Sequence, residues 1–199
     1  MISLLTPQST SKSSTSHVES EQIITGISCA YGDFIPMMAT QLQVNCINLF
    51  DVAEIQLAQA KKKIEKVDQL NRFNLFLSNA ENIALTNNST NSSVLFYLLH
   101  ELPAEARTNT LNEVMRITKS GGRVLIADYA PLSSKHWFHR FKLFRYVFEK
   151  MEPCLANFWR CDLHAELKQS AQVHGKNVKL MHQTLIWHKF YQVSEYSIN

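Results

Sequence analysis

The sequence lacks the features that mark several large classes of protein. Its 199 residues contain no run of 18 apolar side chains, so we expect no transmembrane helix. The amino terminus has no apolar signal-peptide core, and the net charge of +3 is too small to indicate nucleic-acid binding. The four cysteines form no CxxC pair and no zinc-like pattern with histidine, which favours reduced thiols and a cytoplasmic protein.

The chain divides into a short tail and one domain. Residues 1–20 are rich in serine and threonine and offer little apolar surface to bury, which predicts a flexible tail. Hydrophobic residues make up 45% of the chain and charged residues 19%, which are ordinary values for a globular protein. We therefore expect residues 21–199 to form a single domain with a sizeable core.

Strand-like and helix-like segments alternate along this domain. Apolar runs predict strands at 23–29, 44–50, 72–77, 93–98, 123–129, 178–187 and 190–196. Apolar residues at helical spacing predict helices at 34–42, 53–67, 104–119 and 162–174. Such alternation indicates an α/β fold with a mostly parallel sheet covered on both faces. Only His188 and Lys189 join the last two strands, so these two must be antiparallel.

The fifth predicted strand ends in side chains that are candidates for chemistry. Gly121 and Gly122 are expected to turn the chain from the preceding helix into this strand, because glycine adopts the positive φ that ends a helix. The strand then ends in Asp128 and Tyr129. Ligands of open α/β sheets bind outside the carboxyl ends of the strands, so these two residues mark a possible site. The alternative is an ordinary helix-to-strand turn.

Asp51 ends the second predicted strand, nineteen residues after Gly32. An acid at about that distance from a glycine-containing first loop accepts both ribose hydroxyls of a bound nucleoside. A carboxylate suits this task because it only accepts hydrogen bonds and can take two at once. The alternative, compatible with the first, is an N-cap for the helix that begins at Ala53.

His100 and Glu101 follow the fourth predicted strand. A histidine takes or delivers a proton near neutral pH, and a neighbouring carboxylate raises its pKa. Together with Asp128 from the next strand, these residues could also hold a divalent metal, and this ligand set suits manganese or iron better than calcium. The alternative treats both residues as loop and cap residues of the helix that begins near Ala104.

Three stretches resemble the rhodoquinone-biosynthesis methyltransferase-like proteins, which are relatives of the ubiquinone and menaquinone methyltransferases. They are residues 29–34 (Cys-Ala-Tyr-Gly-Asp-Phe), 51–57 (Asp-Val-Ala, then Gln-Leu) and 96–103 (Phe-Tyr-Leu-Leu-His-Glu-Leu-Pro), with further matches in 116–129, 151–160 and 190–192. The resemblance implies a Rossmann-like class I S-adenosylmethionine (SAM)-dependent methyltransferase fold. Its sheet would be mostly parallel and seven-stranded, with an antiparallel C-terminal strand.

The resemblance also implies a substrate and a set of site residues. The substrate would be a membrane benzoquinone with a polyprenyl tail, converted from ubiquinone to rhodoquinone with SAM supplying the amino group and manganese assisting. The implied cofactor-binding residues are Ser28, Ala30, Tyr31, Gly32, Asp51, Val52, Asn79 and Ala80. The implied catalytic residues are His100, Glu101, Asp128 and Tyr129, of which Glu101 and Asp128 would bind the metal.

This chain departs from the resembled pattern at several positions. Gly26 replaces the acid that commonly ends the first strand, and Ser28 and Ala30 replace two of the three loop glycines. Leu102 stands where glutamine is usual, and Ser120 stands where proline is usual. Two alternatives therefore stay open: a conventional methyltransferase for a small phenol or quinone precursor, and a SAM-binding module without activity.

Residues 136–148 combine aromatic and basic side chains. Trp137, Phe141, Phe144 and Phe148 recur at helical spacing, with arginine and lysine between them. A basic amphipathic helix can lie in the headgroup region of a membrane, which predicts a peripheral protein on the cytoplasmic face of the inner membrane. The alternative is that this segment packs over the cleft as part of the core.

Overall fold

The computed structural model describes residues 22–29, 33–42, 44–132 and 142–199, so the predicted tail lies outside the described residues. Its strands are β1 Ile23–Ile27, β2 Cys46–Asp51, β3 Phe73–Leu77, β4 Thr90–Phe96, β5 Thr118–Tyr129, β6 Val178–Ile186 and β7 Tyr191–Ile198. Its α-helices are α1 Phe34–Gln41, α2 Glu54–Glu65, α3 Ala104–Ile117, α4 Lys142–Met151, α5 Leu155–Phe158 and α6 Leu163–Val173. Two short 3-10 turns lie at Leu70–Arg72 and Leu99–Glu101.

The strands form one seven-stranded sheet in the order β3-β2-β1-β4-β5-β7-β6. The five strands from β3 to β5 pair in parallel, whereas β7 runs antiparallel to both β5 and β6. This arrangement confirms the predicted fold class. The strand order reverses between β1 and β4, and that point is where open α/β sheets form a ligand crevice beyond the carboxyl ends of their strands.

Hydrophobic cores cover both faces of the sheet. On one face Ile27, Phe50 and Leu95 pack with α3, α5 and α6, and on the other face Ile24 and Leu49 pack with α1 and α2. Successive residues of a strand point to opposite faces, so one strand supplies both cores. Burial on both faces explains why the central strands read as nearly continuous apolar runs.

The two neighbouring glycines do not end a helix, and the predicted role for them is wrong. Helix α3 ends earlier, at Ile117, where the Lys176 ammonium donates to the carbonyls of Met115 and Thr118, both at 2.5 Å. The strand already pairs at Thr118, and the register shifts before Arg123. Residues 119–122 therefore bulge out of β5, where Gly121 has a φ of +80°.

Helix α4 covers the carboxyl-terminal part of the predicted amphipathic segment, and residues 133–141 lie outside the described part of the chain. Phe148 is half-buried against the core, at 6.2 Å from Phe190 between ring centroids. Leu143, Tyr146 and Met151 are exposed on the same helix. Within the described residues, no helix is long and apolar enough to cross a membrane.

Candidate active site

A cavity of about 640 Å³ lies beyond the carboxyl ends of β1 to β4. Its volume is within the usual range for small-molecule sites. The lining includes seven of the predicted site residues: Ser28, Asp51, Val52, Asn79, Ala80, His100 and Glu101. The structure thus gathers residues from four strand ends, as the sequence predicts. Ala30, Tyr31 and Gly32 fall outside the described residues.

Asp51 organises the floor of this cavity. Its Oδ2 accepts from the Cys29 backbone N–H at 2.8 Å, and its Oδ1 accepts from the Ala53 N–H at 2.8 Å. A carboxylate offers about four acceptor positions, so each oxygen keeps one lone pair free after these bonds. Asp51 can therefore hold the loop after β1 in place and still accept two hydroxyl groups from a ligand. The alternative interpretation of Asp51 as a helix N-cap is not met, because Ala53 is the N-cap of α2 and no side chain caps this helix.

Ser28 lies at the edge of the cavity in a strained backbone conformation. Its φ is +79°, in the left-handed region that favours glycine, and its N–H donates to the Phe50 carbonyl at 2.9 Å. The resembled family usually places glycine here. Strain of this kind concentrates at ligand-binding positions, which is consistent with the predicted role of the loop.

The turn after β3 closes the cavity on another side. Asn79 Oδ1 accepts from the Glu81 N–H at 3.0 Å, so one of its two acceptor positions is occupied within the turn. Ala80 is half-buried and Val52 is 75% exposed. An apolar ring placed between these two side chains would cover them from water. This part of the site suits a flat base better than a charged group.

His100 and Asp128 form a buried pair at the inner wall. The Nδ1 of His100 lies 2.7 Å from Asp128 Oδ1, and the two side chains are 7% and 1% exposed. Asp128 also accepts from the backbone N–H groups of Leu99 at 3.0 Å and Tyr129 at 2.7 Å. The contact with Asp128 occupies Nδ1 of His100, so Nε2 is the nitrogen left for proton transfer.

The surroundings raise the pKa of His100 above its usual value. Burial alone lowers this pKa, but the hydrogen bond and negative charge of Asp128 outweigh burial, with smaller contributions from the charges of Glu152 and Glu101. A stronger base results, held in one orientation. Such a nitrogen can take a proton from a bound hydroxyl group.

Tyr129 does not line the cavity but packs edge-on against His100, with 4.7 Å between ring centroids. Its hydroxyl donates to Glu152 Oε1 at 3.2 Å. Burial raises the pKa of Tyr129, and the neighbouring Glu152 raises it further, so this phenol keeps its proton. The sequence analysis missed Glu152 as a site residue, although it lies in one of the stretches that carry the resemblance.

Sequence reasoning also missed Tyr97, which lines the cavity next to His100. Its φ is +53°, and its ring packs edge-on against Tyr191 at 5.2 Å and Phe96 at 4.8 Å. Burial raises the pKa of Tyr97 to about 12, helped by the nearby Tyr191 and the charge of Asp128. Tyr97 and Tyr129 therefore both pack edge-on against the His100 ring.

Glu101 is exposed and gives the cavity rim a negative charge. Partial burial raises its pKa, His100 opposes this rise, and Glu152, Asp128 and Asp51 add to it. The described lining residues include the carboxylates of Asp51 and Glu101 and no lysine or arginine. The cavity therefore suits a ligand that carries positive charge.

The expected metal set is not formed in the described part of the chain. No group of three or more histidine, cysteine, aspartate or glutamate side chains there is arranged to hold a metal ion. The Asp128 carboxylate is enclosed by the His100 ring and by backbone N–H groups, which leaves it poorly placed as a ligand. The structure therefore gives manganese binding by Glu101 and Asp128 no support.

Comparisons with known proteins agree with this geometry. Residues 24–122 match the family described as "Methyltransferase domain". No curated protein gives a significant match to the whole sequence. A SAM-dependent methyltransferase from Aquifex aeolicus superposes with a TM-score of 0.62 at 14% identity, over 92% of this chain and 84% of that one.

Two further solved structures share the fold. A candidate methyltransferase from Bacillus halodurans superposes with a TM-score of 0.61 at 17% identity over 83% of this chain, which spans only 66% of the length of that protein. The cyclase SpnF superposes with a TM-score of 0.63 at 12% identity, over 90% of this chain and 75% of the cyclase. A fold that also carries a cyclase does not by itself fix the reaction, so the function must be argued from the site.

Proposed function

We propose a function from one premise: the chain carries a methyltransferase domain of the class I SAM-dependent fold. We infer that it binds SAM in the cavity beyond β1 to β4 and methylates a small aromatic acceptor, such as a phenol or a quinone precursor. The observation that carries this proposal is the pairing, in one cavity, of a ribose-type carboxylate on β2 with a buried histidine base after β4.

The described residues fit the parts of the cofactor. Asp51 retains two acceptor positions for ribose hydroxyls, while Val52 and Ala80 offer apolar surface to the base. Glu101 supplies negative charge near a sulfonium centre. When bound, SAM supplies an electrophilic methyl group on that sulfonium.

His100 provides the proton chemistry on the acceptor side. Asp128 fixes the ring through Nδ1, so Nε2 is the atom that would take the hydroxyl proton of the acceptor. The acceptor oxygen would receive the methyl group as the sulfur–methyl bond breaks and S-adenosylhomocysteine leaves. The Asp128 carboxylate, 2.7 Å from Nδ1, stabilises the imidazolium that forms. The Tyr97 ring, which lines the cavity and packs edge-on against His100, favours a planar acceptor, because aromatic groups pack well in edge-to-face arrangements.

The finer expectation, amino transfer to a polyprenyl benzoquinone, rests on the motif resemblance. One experiment separates it from methyl transfer. The protein is expressed in a ubiquinone-making host, and the quinone pool is analysed by mass spectrometry alongside an assay with methyl-labelled SAM on host extracts. Label in an aromatic product supports the proposed methyltransferase. A quinone whose methoxy group is replaced by an amino group supports the rhodoquinone reaction instead, and neither product indicates a SAM-binding module without activity.

The same preparation tests the role of His100. Turnover of the His100→Ala variant should fall by about 10²–10⁴, the range for loss of a general base, with SAM affinity nearly unchanged. The Glu101→Gln variant should weaken SAM binding more than it lowers turnover, because Glu101 contributes charge at the rim. Full turnover by the His100→Ala variant would remove this residue from the reaction.

We also propose that helix α4 touches a membrane surface, since a lipid-soluble acceptor would be delivered there. Leu143, Tyr146 and Met151 form an exposed stripe, and Lys150 lies 5.7 Å from the Tyr146 ring centroid. Co-sedimentation with anionic vesicles should fall when Leu143 and Met151 are replaced by serine. An unmutated protein that stays in the supernatant would contradict the proposal.

A further inference from the structure

Glu152 has a buried oxygen whose surroundings call for an explanation. It follows α4 directly, and its Oε2 has no hydrogen-bond partner although the atom is buried. The imidazole of His100 lies close by, with its Nε2 at 3.5 Å from that oxygen. A buried acceptor without a donor costs free energy, so its persistence needs a reason.

The position of Glu152 is set by contacts on both sides of it. Its backbone N–H donates to the Phe148 carbonyl at 2.9 Å, and its own carbonyl accepts from the Leu155 N–H at 3.1 Å. Its other carboxylate oxygen accepts from the Tyr129 hydroxyl at 3.2 Å. Tyr129 of β5 therefore holds one carboxylate oxygen, and the other oxygen faces Nε2 of the His100 ring.

We propose that Glu152 is a positioning residue that holds the His100 ring through Nε2, opposite Asp128. This inference rests on the proposed function, because His100 is the base there. Asp128 restrains the ring only at Nδ1, which leaves rotation about that contact. A second carboxylate facing Nε2 orients the ring once Nε2 has gained a proton and stabilises the imidazolium that results.

The distance of 3.5 Å fits such a role. When Nε2 has no proton, both atoms are acceptors and form no hydrogen bond; once Nε2 gains a proton, it can donate to Oε2 and the distance can shorten. Hydrogen bonds between catalytic groups are often long before the reacting complex forms. Tyr129 and Glu152 thus form a support for His100 that reaches from the sheet to the segment between α4 and α5.

The test compares Glu152→Gln with Glu149→Gln. Glu149 lies on α4 and pairs with Arg145 and Arg160, each at 3.5 Å, without touching His100. In protein with ¹⁵N-labelled histidine, Glu152→Gln should move the Nε2 resonance of His100 at fixed pH, and Glu149→Gln should leave it unchanged. This readout needs no acceptor.

Turnover with methyl-labelled SAM supplies the second readout. Glu152→Gln should lower kcat by about 10- to 100-fold, the effect of losing a contact to a charged group, with the KM for SAM unchanged. The kcat of Glu152→Asp should lie nearer to the wild-type value, and the kcat of Tyr129→Phe should lie between those of Glu152→Gln and Glu152→Asp. If Glu152→Gln does not fold, Glu152→Asp and Tyr129→Phe decide whether Glu152 has this role.

The outcomes separate this inference from the proposed function. An unmoved Nε2 resonance, or a kcat equal to that of the Glu149→Gln control, would overturn the role of Glu152. If Glu152→Gln shifts the Nε2 resonance of His100 but the wild-type protein methylates no acceptor, the contact between Glu152 and His100 is supported and the proposed function is contradicted.

Discussion

Ser28 shows at the residue scale how the cavity constrains the chain. Its φ of +79° costs a residue with a Cβ atom about 1–2 kcal/mol, whereas glycine avoids this cost and loses about 0.5–1 kcal/mol in chain entropy. We therefore expect Ser28→Gly to raise the free energy of unfolding by about 0.5–1 kcal/mol in urea titrations. Ser28→Ala keeps the Cβ atom and should therefore leave the free energy of unfolding unchanged. Equal stabilisation by both variants would show that strain is not the cause.

His100 should make the stability of the protein depend on pH. Its native pKa is raised above the usual value, so the native state binds this proton more tightly than the unfolded chain. The resulting stabilisation is fully present below about pH 6.5 and is lost as the pH rises through the higher native pKa. Urea titrations of wild type and His100→Gln should show a difference that shrinks with rising pH.

The exposed His188 supplies the control for this measurement. Its replacement by glutamine should give a difference from wild type that stays small over the same pH range. A gap between wild type and His100→Gln that grows with pH would contradict the raised pKa.

Arg107 links elements on one face of the sheet. Its guanidinium, 1% exposed, donates to Glu166 on α6 at 2.8 and 2.9 Å and to Asn157 on α5 at 2.9 Å. Glu166→Gln should lower the free energy of unfolding by about 1.5–3 kcal/mol, because a buried cation loses its charged acceptor. The more exposed pair of Arg145 and Glu149 should contribute only about 0–1 kcal/mol.

Thermal or urea unfolding of the Glu166→Gln and Glu149→Gln variants compares the Arg107–Glu166 pair with the Arg145–Glu149 pair. Equal losses of unfolding free energy in the two variants would mean that the buried Arg107–Glu166 pair does not hold α3 against α6.

The elements themselves could be predicted closely from the sequence. Buried strands and amphipathic helices leave periodic patterns that depend on local residues, so β2, β3 and α3 lie within a few residues of their predicted bounds. The bulge at residues 119–122 could not be predicted, because this junction is contacted by residues from far along the chain, such as Lys176. Contacts between distant segments leave no periodic signal.

The same reasoning explains which site residues the sequence reveals. Asp51, His100 and Asp128 follow strand ends, and the topology of a parallel sheet brings those ends together. Glu152 reaches the site from a loop after a helix, where no rule of topology places it. Tyr97 is hidden in another way, since its left-handed backbone is not visible in its residue type.

For the molecule as a whole, the cavity beyond β1 to β4 is the proposed SAM site. Its described lining carries negative charge and apolar surface, and the chain has the fold of SAM-dependent methyltransferases. SAM carries a sulfonium charge that S-adenosylhomocysteine lacks, so the acidic rim should favour the former. Because a cyclase shares this fold, the fold does not fix the reaction, and direct measurement of SAM binding is more informative than further structural comparison.

Isothermal titration calorimetry of SAM against wild type, Asp51→Ala and Glu54→Gln tests that claim most directly. Asp51 lines the cavity, whereas the exposed Glu54 on the same turn does not. The account predicts one SAM site per chain, a loss of about 1.5–3 kcal/mol of binding free energy in Asp51→Ala, and wild-type affinity in Glu54→Gln. Absence of binding by wild type, or equal affinity in wild type and Asp51→Ala, would contradict it.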